Sequence, residues 1–354
     1  MQIDRSMGTF LAASARRLTQ IDPFLPRRPA PEQAFSGPSV NPLTCEASFI
    51  VGGANGGADS GEPTAVAHCE HWTGAPGSLD LVWGATDRFT LFPQLAGPDV
   101  AGPLDQLIGQ WRDHLREHLS AGPEADREDT SAIINWPSRD IDGLNVMLAH
   151  GLCPLNVIAV RRLGSSPGSS PGNSPGSSPW PAGSPEQRTP DGLEIRRATP
   201  ADLDILTRLA AAEISYDAHF GGVIERPHTA QAMRAYLAEQ LTSPEPWIWV
   251  AERGGNPLGL LAAEPPEAAN WIAPLTDLSP VAYLMSAFVD PAERGAGVGG
   301  GLTREFHRTA QDAGVGAVLL HYELFNPRSG PFWSQQGYRP LWTTLEARPA
   351  HRLR

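Results

Sequence analysis

The stretch Val289-Asp290-Pro291-Ala292-Glu293-Arg294-Gly295-Ala296-Gly297-Val298-Gly299-Gly300-Gly301-Leu302 decides how this chain is read. Val281 to Val289 reads as a strand, and a helix is predicted from about Gly300 to Ala313. Between them the chain turns through closely spaced glycines. Small residues let a backbone approach a ligand, and successive N–H groups then face one concavity. The helix adds its own unsatisfied N–H groups and its positive dipole end. That combination suits a phosphate. A plain glycine turn is one alternative. The dinucleotide fingerprint G-x-G-x-x-G is another, met by Gly295, Gly297 and Gly300, but no N-terminal βαβ unit surrounds it. A P-loop is excluded because its Lys-Ser/Thr is missing.

Outward from this turn, Ala317 to Leu324 predicts a strand, about Ser329 to Gln336 a short helix, and about Leu341 to Ala347 a last strand. Upstream, Leu193-Glu194-Ile195-Arg196 alternates like a strand. Thr199-Pro200-Ala201-Asp202 then reads as a helix start, with a Thr cap, Pro at the first helical position and an acid at the third. Leu203, Leu206 and Leu209 carry that helix to about Ala212. A second runs from about Thr229 to Leu241, and strands Trp247 to Glu252 and Leu258 to Ala263 follow. The order β-α-α-β-β-β-α-β-α-β predicts an α/β fold with a mixed sheet.

Two stretches resemble signatures of the GNAT acetyltransferase superfamily. Val289, Pro291, Arg294, Gly297 and Gly299 match its acyl-CoA-binding pattern V-x-P-x-x-R-x-x-G-x-G/A. Asn326-Pro327-Arg328-Ser329-Gly330-Pro331-Phe332-Trp333-Ser334-Gln335-Gln336-Gly337-Tyr338 is similar to its N-x-x-A-x-x-F-Y-x-x-x-G-F/Y pattern. The resemblance covers about residues 193–348. It implies acetyl-CoA as co-substrate and direct transfer of the acyl group to the amine of a small molecule. It also implies that backbone N–H groups of Arg294, Gly295, Ala296, Gly297, Val298 and Gly299, with Gly300 beside them, hold the pyrophosphate. Phe288 and Val289 would offer main-chain groups to the pantetheine and thioester. The strand ending there would part from Ala317–Leu324 to make a slot, and Asn326 would contact the cofactor.

One position departs from the pattern. The family's usual thiolate acid is a Tyr where this chain has Trp333, whose indole donates a hydrogen bond but does not titrate usefully. Tyr322 and Tyr338 are candidates by type; Ser329 lies too far back in its helix. Some family members place a basic Glu where Tyr283 stands here. Glu323 and His321 share one face of the neighbouring strand and are alternatives. The catalytic set expected is therefore Tyr283, Tyr322, Glu323 and Trp333. Glu213, Tyr216, Asp217 and His219 are placed in the loop between the first two helices, an acidic patch suited to a cationic amine. Two other functions stay open: a non-catalytic acyl-CoA sensor or scaffold, and O-acylation or acyl removal.

The remainder of the chain is bounded by composition. Its 354 residues are 41% hydrophobic and 19% charged, with 36 Gly and 35 Pro. That length predicts two domains. Residues 163–190 repeat Gly, Ser and Pro in units of four, have nothing to bury, and read as a flexible linker in which only Trp180 could anchor. The basic residues are 27 arginines and no lysine, so no lysine base or Schiff base operates. A net charge of −12 argues against nucleic-acid and anionic-membrane partners. No run suits a membrane span and the N-terminus lacks a signal peptide's pattern, so a cytoplasmic location is expected. Cys45, Cys69 and Cys153 read as reduced thiols.

Residues 1–162 carry no such signature. Asp80 to Phe92 and Ala132 to Asn135 read as strands, and Leu104 to Leu119 as a helix. Asn135-Trp136-Pro137-Ser138 followed by Leu144, Met147, Leu148, Gly151 and Leu152 resembles a loosened copy of the Asn326–Tyr338 motif. The first half is therefore expected to be a second, degenerate GNAT-like domain. Its counterpart of the phosphate loop would be Ala96 to Pro103, where Pro98 and Pro103 lack N–H groups and Asp99 adds negative charge. Such a loop should repel pyrophosphate. His68-Cys69-Glu70-His71 is read as a surface turn, and no metal is expected.

Overall fold

A strand inside a parallel sheet is covered on both faces and must be apolar throughout. The runs Ala317–Leu320 and Val281–Leu284 meet that demand, and they pair in parallel in the sheet interior. The computed structural model describes residues 2–27, 44–52, 63–120, 127–164 and 192–354. Its strands are β1 (Thr44–Gly52), β2 (Pro63–Thr73), β3 (Asp87–Leu95), β4 (Thr130–Pro137), β5 (Cys153–Arg162), β6 (Leu193–Arg197), β7 (Ile248–Arg253), β8 (Asn256–Glu264), β9 (Val281–Val289), β10 (Ala317–Glu323) and β11 (Arg339–Ala347). The helices are α1 (Gln2–Ile21), α2 (Ala101–Ser120), α3 (Ile141–Ala149), α4 (Leu203–Asp217), α5 (Thr229–Gln240), α6 (Val298–Asp312) and α7 (Ser329–Gln335).

All strands join one mixed sheet of 11 strands, ordered β1-β2-β3-β4-β11-β5-β10-β9-β8-β7-β6. The order records an exchange. β11, the last strand of the chain, lies between β4 and β5, whereas β5 runs antiparallel to β10. Each half thus lends a strand to the other's side of the sheet. Of the expected linker only Leu163 and Gly164 fall among the described residues, where the Leu163 N–H donates to Gly316 O at 2.9 Å.

Alternation along the strands divides the core between the two faces. Trp249 and Ala251 of β7 pack with Val298, Leu302 and Phe306 of α6. Ile248 and Val250 pack with Leu206 and Leu209 of α4 and Met233 and Leu237 of α5. In the first half Cys69, Phe89, Leu91 and Ile134 pack with Leu104, Ile108 and Trp111 of α2, on the face that carries α6 in the second. The start of α4 follows the sequence expectation: Thr199 and Asp202 form a capping box.

A repeat runs through the two halves. β3 and β4 pair in parallel with α2 between them in sequence, as β9 and β10 pair with α6 between them. β4 leads to α3, Gly151 at φ +83 and β5; β10 leads to α7, Gly337 at φ +84 and β11. Both glycines hold the left-handed turn that returns a short helix into the sheet.

Several local expectations are corrected. His68-Cys69-Glu70-His71 is not a surface turn but the interior of β2, with Cys69 wholly buried against α2 and Glu70 buried on the opposite face. Asp80 to Phe92 is not one strand: a 3-10 turn at Leu79–Trp83 precedes β3. Glu213, Tyr216 and Asp217 stand on the last turns of α4, not in a loop. Helix α1 and strands β1 and β2 were not anticipated by the pattern. No helix among the described residues is long and apolar enough to cross a membrane.

Candidate active site

Parallel pairing between β9 and β10 runs from Val281↔Ala317 to Leu284↔Leu320 and stops, although β9 continues to Val289 and β10 to Glu323. On its other edge β9 pairs with β8, and there the register shifts between Ser286 and Leu284. A bulge at that point bends the strand away from its neighbour. The slot expected from the resemblance is therefore present, and it opens on one side to the glycine turn and on the other to a cavity.

At the turn, Asp290 caps a short 3-10 segment by accepting from the Ala292 N–H at 2.9 Å. Gly295 and Gly297 then take φ +80 and +81, and Gly297 is the N-cap of α6. Among the described residues, no main-chain N–H from Arg294 to Gly300 has a protein partner. These donors are left for a ligand or for water, at a helix start that favours an anion. Arg294 folds back over the opening, its Nε donating to Val289 O at 3.1 Å and its guanidinium lying over Tyr216 and Phe288. A cavity of about 260 Å³ lies between α4 and this turn, lined by Leu209, Tyr216, Phe288 and Arg294. The residues present fit the diphosphate of coenzyme A: a row of free amides, glycines where a Cβ would be strained, and one arginine at the rim.

Beyond the slot lies a cavity of about 720 Å³, on the face that carries α4 and α5. Both halves build it. Tyr283 of β9, His321 and Glu323 of β10, and Glu213 and Asp217 of α4 come from the second half; Asn156 of β5 and Arg88 of β3 come from the first. Strand exchange explains the mixture, since Asn156 sits directly opposite Glu323 in the β5–β10 ladder.

Three carboxyls gather at the mouth of the slot. Glu213 accepts from the Ser286 hydroxyl and from the Ala287 N–H. Burial, with Asp217 nearby, pushes it up to about 7. Burial likewise raises Asp217 to about 6, against the lowering effect of the amide donated by Asn326 at 3.0 Å and of Arg294. Glu323 is raised to about 8, by burial first and then by Asp217. One Glu323 oxygen meets the Gly222 backbone so closely that a Cβ on Gly222 would lie 2.0 Å from it. The other, Oε2, is buried with no hydrogen-bond partner among the described residues. A carboxyl with one oxygen tethered, one unpaired and an affinity for protons near neutrality can take a proton from an ammonium group.

The other expected residues are placed as follows. Tyr283 is buried, its hydroxyl 3.0 Å from His321 Nδ1 and its ionisation pushed far above the ordinary tyrosine range by burial. His321 is held neutral, its pKa drawn down to about 4 by burial. Tyr322 borders the cavity from the opposite face of β10, where its half-buried ring packs against the cluster that holds Trp333 and beside Gly330 of α7, with its pKa raised by burial. Trp333 stands apart: it is packed edge-on against Phe332 and Tyr338 in the core and does not line the cavity. Tyr338 is also distant, its hydroxyl 2.8 Å from His307 Nε2. Asn326 is buried, bonded to Asp217 and to the Arg328 N–H.

Ser286, Asn156 and Glu264 are among the lining residues that escaped the sequence analysis. Ser286 marks the bulge, which no local pattern announces. Asn156 reaches the site only through strand exchange. Glu264 carried a readable signal, since it is the one charged residue closing the apolar run Leu258–Ala263; it accepts from Tyr236 Oη and Trp271 Nε1. No group of three or more potential metal ligands was found among the described residues.

Comparison with known proteins bears on the family and the fold. Residues 212–338 match the acetyltransferase (GNAT) family. A GCN5-related N-acetyltransferase from Sphaerobacter thermophilus superposes with a TM-score of 0.51 at 13% identity, covering 82% of this chain and 78% of that one. That coverage exceeds either half, so the shared fold extends through both. A tandem GNAT protein of the clavulanic acid biosynthesis pathway covers 98% of this chain and 96% of its own at 13% identity and a TM-score of 0.46. A GCN5-related N-acetyltransferase from Ralstonia eutropha JMP134 covers 42% of this chain and 94% of its own at 23% identity and a TM-score of 0.32. No curated protein matches the chain by sequence.

Proposed function

With a GNAT acetyltransferase domain in its C-terminal half, we propose that this protein moves an acyl group, in the first instance acetyl, from coenzyme A to the amine of a small molecule by direct transfer. The observation that carries the proposal is the continuity from the unpaired amides of Arg294–Gly300, through the parted strands β9 and β10, into an acidic cavity. When bound, acetyl-CoA supplies an activated acyl carbonyl on a thiol leaving group. The amides hold its diphosphate end, and the slot holds its arm between β9 and β10.

The chain's own groups then manage the amine. Asp217 and Glu213 attract it as a cation, and Glu323 Oε2 takes the proton that the nitrogen must lose before it can attack. Tyr322, kept protonated by burial, is the donor nearest in type to the tyrosine that Trp333 replaces, and its hydroxyl offers a proton to the departing sulfur. In the first half no counterpart of the amide row is proposed, and its role is to complete the acceptor cavity.

Thiol release from acetyl-CoA, followed across a panel of primary amines, tests the reading. Amine-dependent release that disappears in Glu323→Gln supports it. A sensor remains the second reading, favoured by the burial of Trp333 away from the cavity; it predicts tight acetyl-CoA binding with no release for any amine.

A further inference from the structure

The cavity has a far wall, built by β2, β3 and the turn Leu79–Trp83, that the proposed transfer does not use. Arg88 lies on it. Its guanidinium stacks on Trp72 at 4.3 Å, Nε donates to Ala85 O at 2.9 Å, and Nη2 donates to the Asp80 carbonyl. Gly84, at φ +151, makes room for it, since a Cβ there would lie 3.1 Å from Nε. Two of the five guanidinium N–H donors are thereby used. Among the described residues, none forms an ion pair with Arg88.

The charges around it act from a distance, and none bonds to the guanidinium directly among the described residues. Asp80 and Glu346 act on it from one side of the balance and Arg226 and Arg348 from the other. Glu346 is committed to Arg348 at 2.8 Å, and Glu264 accepts from Tyr236 and Trp271. Burial draws the Arg88 pKa down to about 10, so it stays charged at neutral pH. An interior guanidinium without an anion is costly, and its planar fork matches a carboxylate. Arg226 shares in holding the turn, donating to Leu81 O and Gly84 O and pairing with Asp129.

We propose that Trp72 and Arg88 form a carboxylate-binding subsite, so that the acceptor carries an amine at one end and a carboxylate at the other. The proposal rests on the transferase reading only for which end reacts. β3 and β10 are four strand spacings apart in the sheet, roughly 19 Å, shortened by the reach of the side chains above it. An α-amino acid is too short to bridge Arg88 and the carboxyls at the slot. An extended ω-amino acid or a peptide of a few residues has the length.

The test uses 5-aminopentanoate, 8-aminooctanoate and 11-aminoundecanoate, each beside the alkylamine and the α,ω-diamine of matching length, titrated calorimetrically into the full chain. Expected is an ω-amino acid that binds at least tenfold tighter than its matching amine and diamine. Arg88→Met removes that tenfold preference while leaving the alkylamine unchanged; Arg88→Lys, which keeps charge but not fork, loses part of it. The wild-type ladder alone keeps the proposal falsifiable if a variant does not fold. It is overturned if amine or diamine binds as tightly as the amino acid, if the preference survives in Arg88→Met, or if none of the nine compounds binds. Acetyl-CoA is titrated into the same samples. Failure to bind it counts against the transferase reading alone, whereas binding without carboxylate preference counts against the subsite alone.

Discussion

Two loops of this chain occupy equivalent places in a repeated fold, each leaving a strand that parts from its parallel neighbour and entering the helix that follows. After β9, residues Asp290–Gly297 put two glycines at positive φ and leave the amides from Arg294 to Gly300 without protein partners. After β3, where pairing with β4 likewise stops at Leu91↔Ile134, Ala96 donates its N–H to Thr64 O at 3.0 Å. Pro98 and Pro103 have no N–H to give, and Asp99 accepts from Gly102 at 3.4 Å. A left-handed glycine remains there too, Gly97 at φ +94. Both turns use a left-handed glycine, but the first has two where the second has one, and the supply of donors differs. The proposed diphosphate site therefore relies on free N–H groups and charge, not on the strand-turn-helix outline.

The strongest way to break that comparison is a matched pair of substitutions. Gly297→Glu and Gly97→Glu both force a side chain into a left-handed backbone and should cost each protein about 1–2 kcal/mol of stability. Only the first should weaken acetyl-CoA binding, by a hundredfold or more, because it adds bulk and negative charge at the donors. Calorimetric titration and thermal melts on both variants decide it. Equal effects on binding would mean that strain, not donor supply, matters.

A second comparison concerns the carboxyls. Glu323, raised to about 8, should give a transfer rate that climbs as pH rises through 7 to 8, and Glu323→Gln should flatten that profile and slow transfer roughly 100-fold. The same group has a stability signature. Its folded pKa lies above its ordinary 4.5, so between those values the folded chain holds a proton that the unfolded chain releases, and stability falls as pH rises. The melting temperature of Glu323→Gln relative to wild type should therefore increase from pH 5 to pH 8. The smallest effect is expected at Trp333. Packed outside the cavity, its change to Tyr should alter the rate less than about threefold, whereas a tenfold gain would place that side chain at the sulfur.

Much of the second half was legible because its signals are local. The Thr199–Asp202 box, the apolar run of β9 and the glycines after it each specify their own conformation. Other features depend on partners that no local pattern names. Sequence periodicity does not say that β11 pairs with β4 or that β5 lies beside β10, so Asn156 and Arg88 were invisible as lining residues. His68–His71 looked polar enough for the surface, yet Cys69 faces α2 and Glu70 the cavity, because β2 is covered on both sides there. The run Asp80–Trp83 illustrates the ambiguity of short apolar segments, which periodicity alone cannot assign. Helix α4 outlasted its expected end at Ala212 because Ile214 is held in the core between the sheet and α5, overriding weak propensity in Ile214–Asp217.

Isothermal titration of the intact wild-type chain with acetyl-CoA counts the working loops directly. A saturable curve with one equivalent bound per chain is predicted. Two equivalents would show the proline-bearing loop to be competent after all, and an absence of heat at millimolar ligand would contradict the amide row as a diphosphate site.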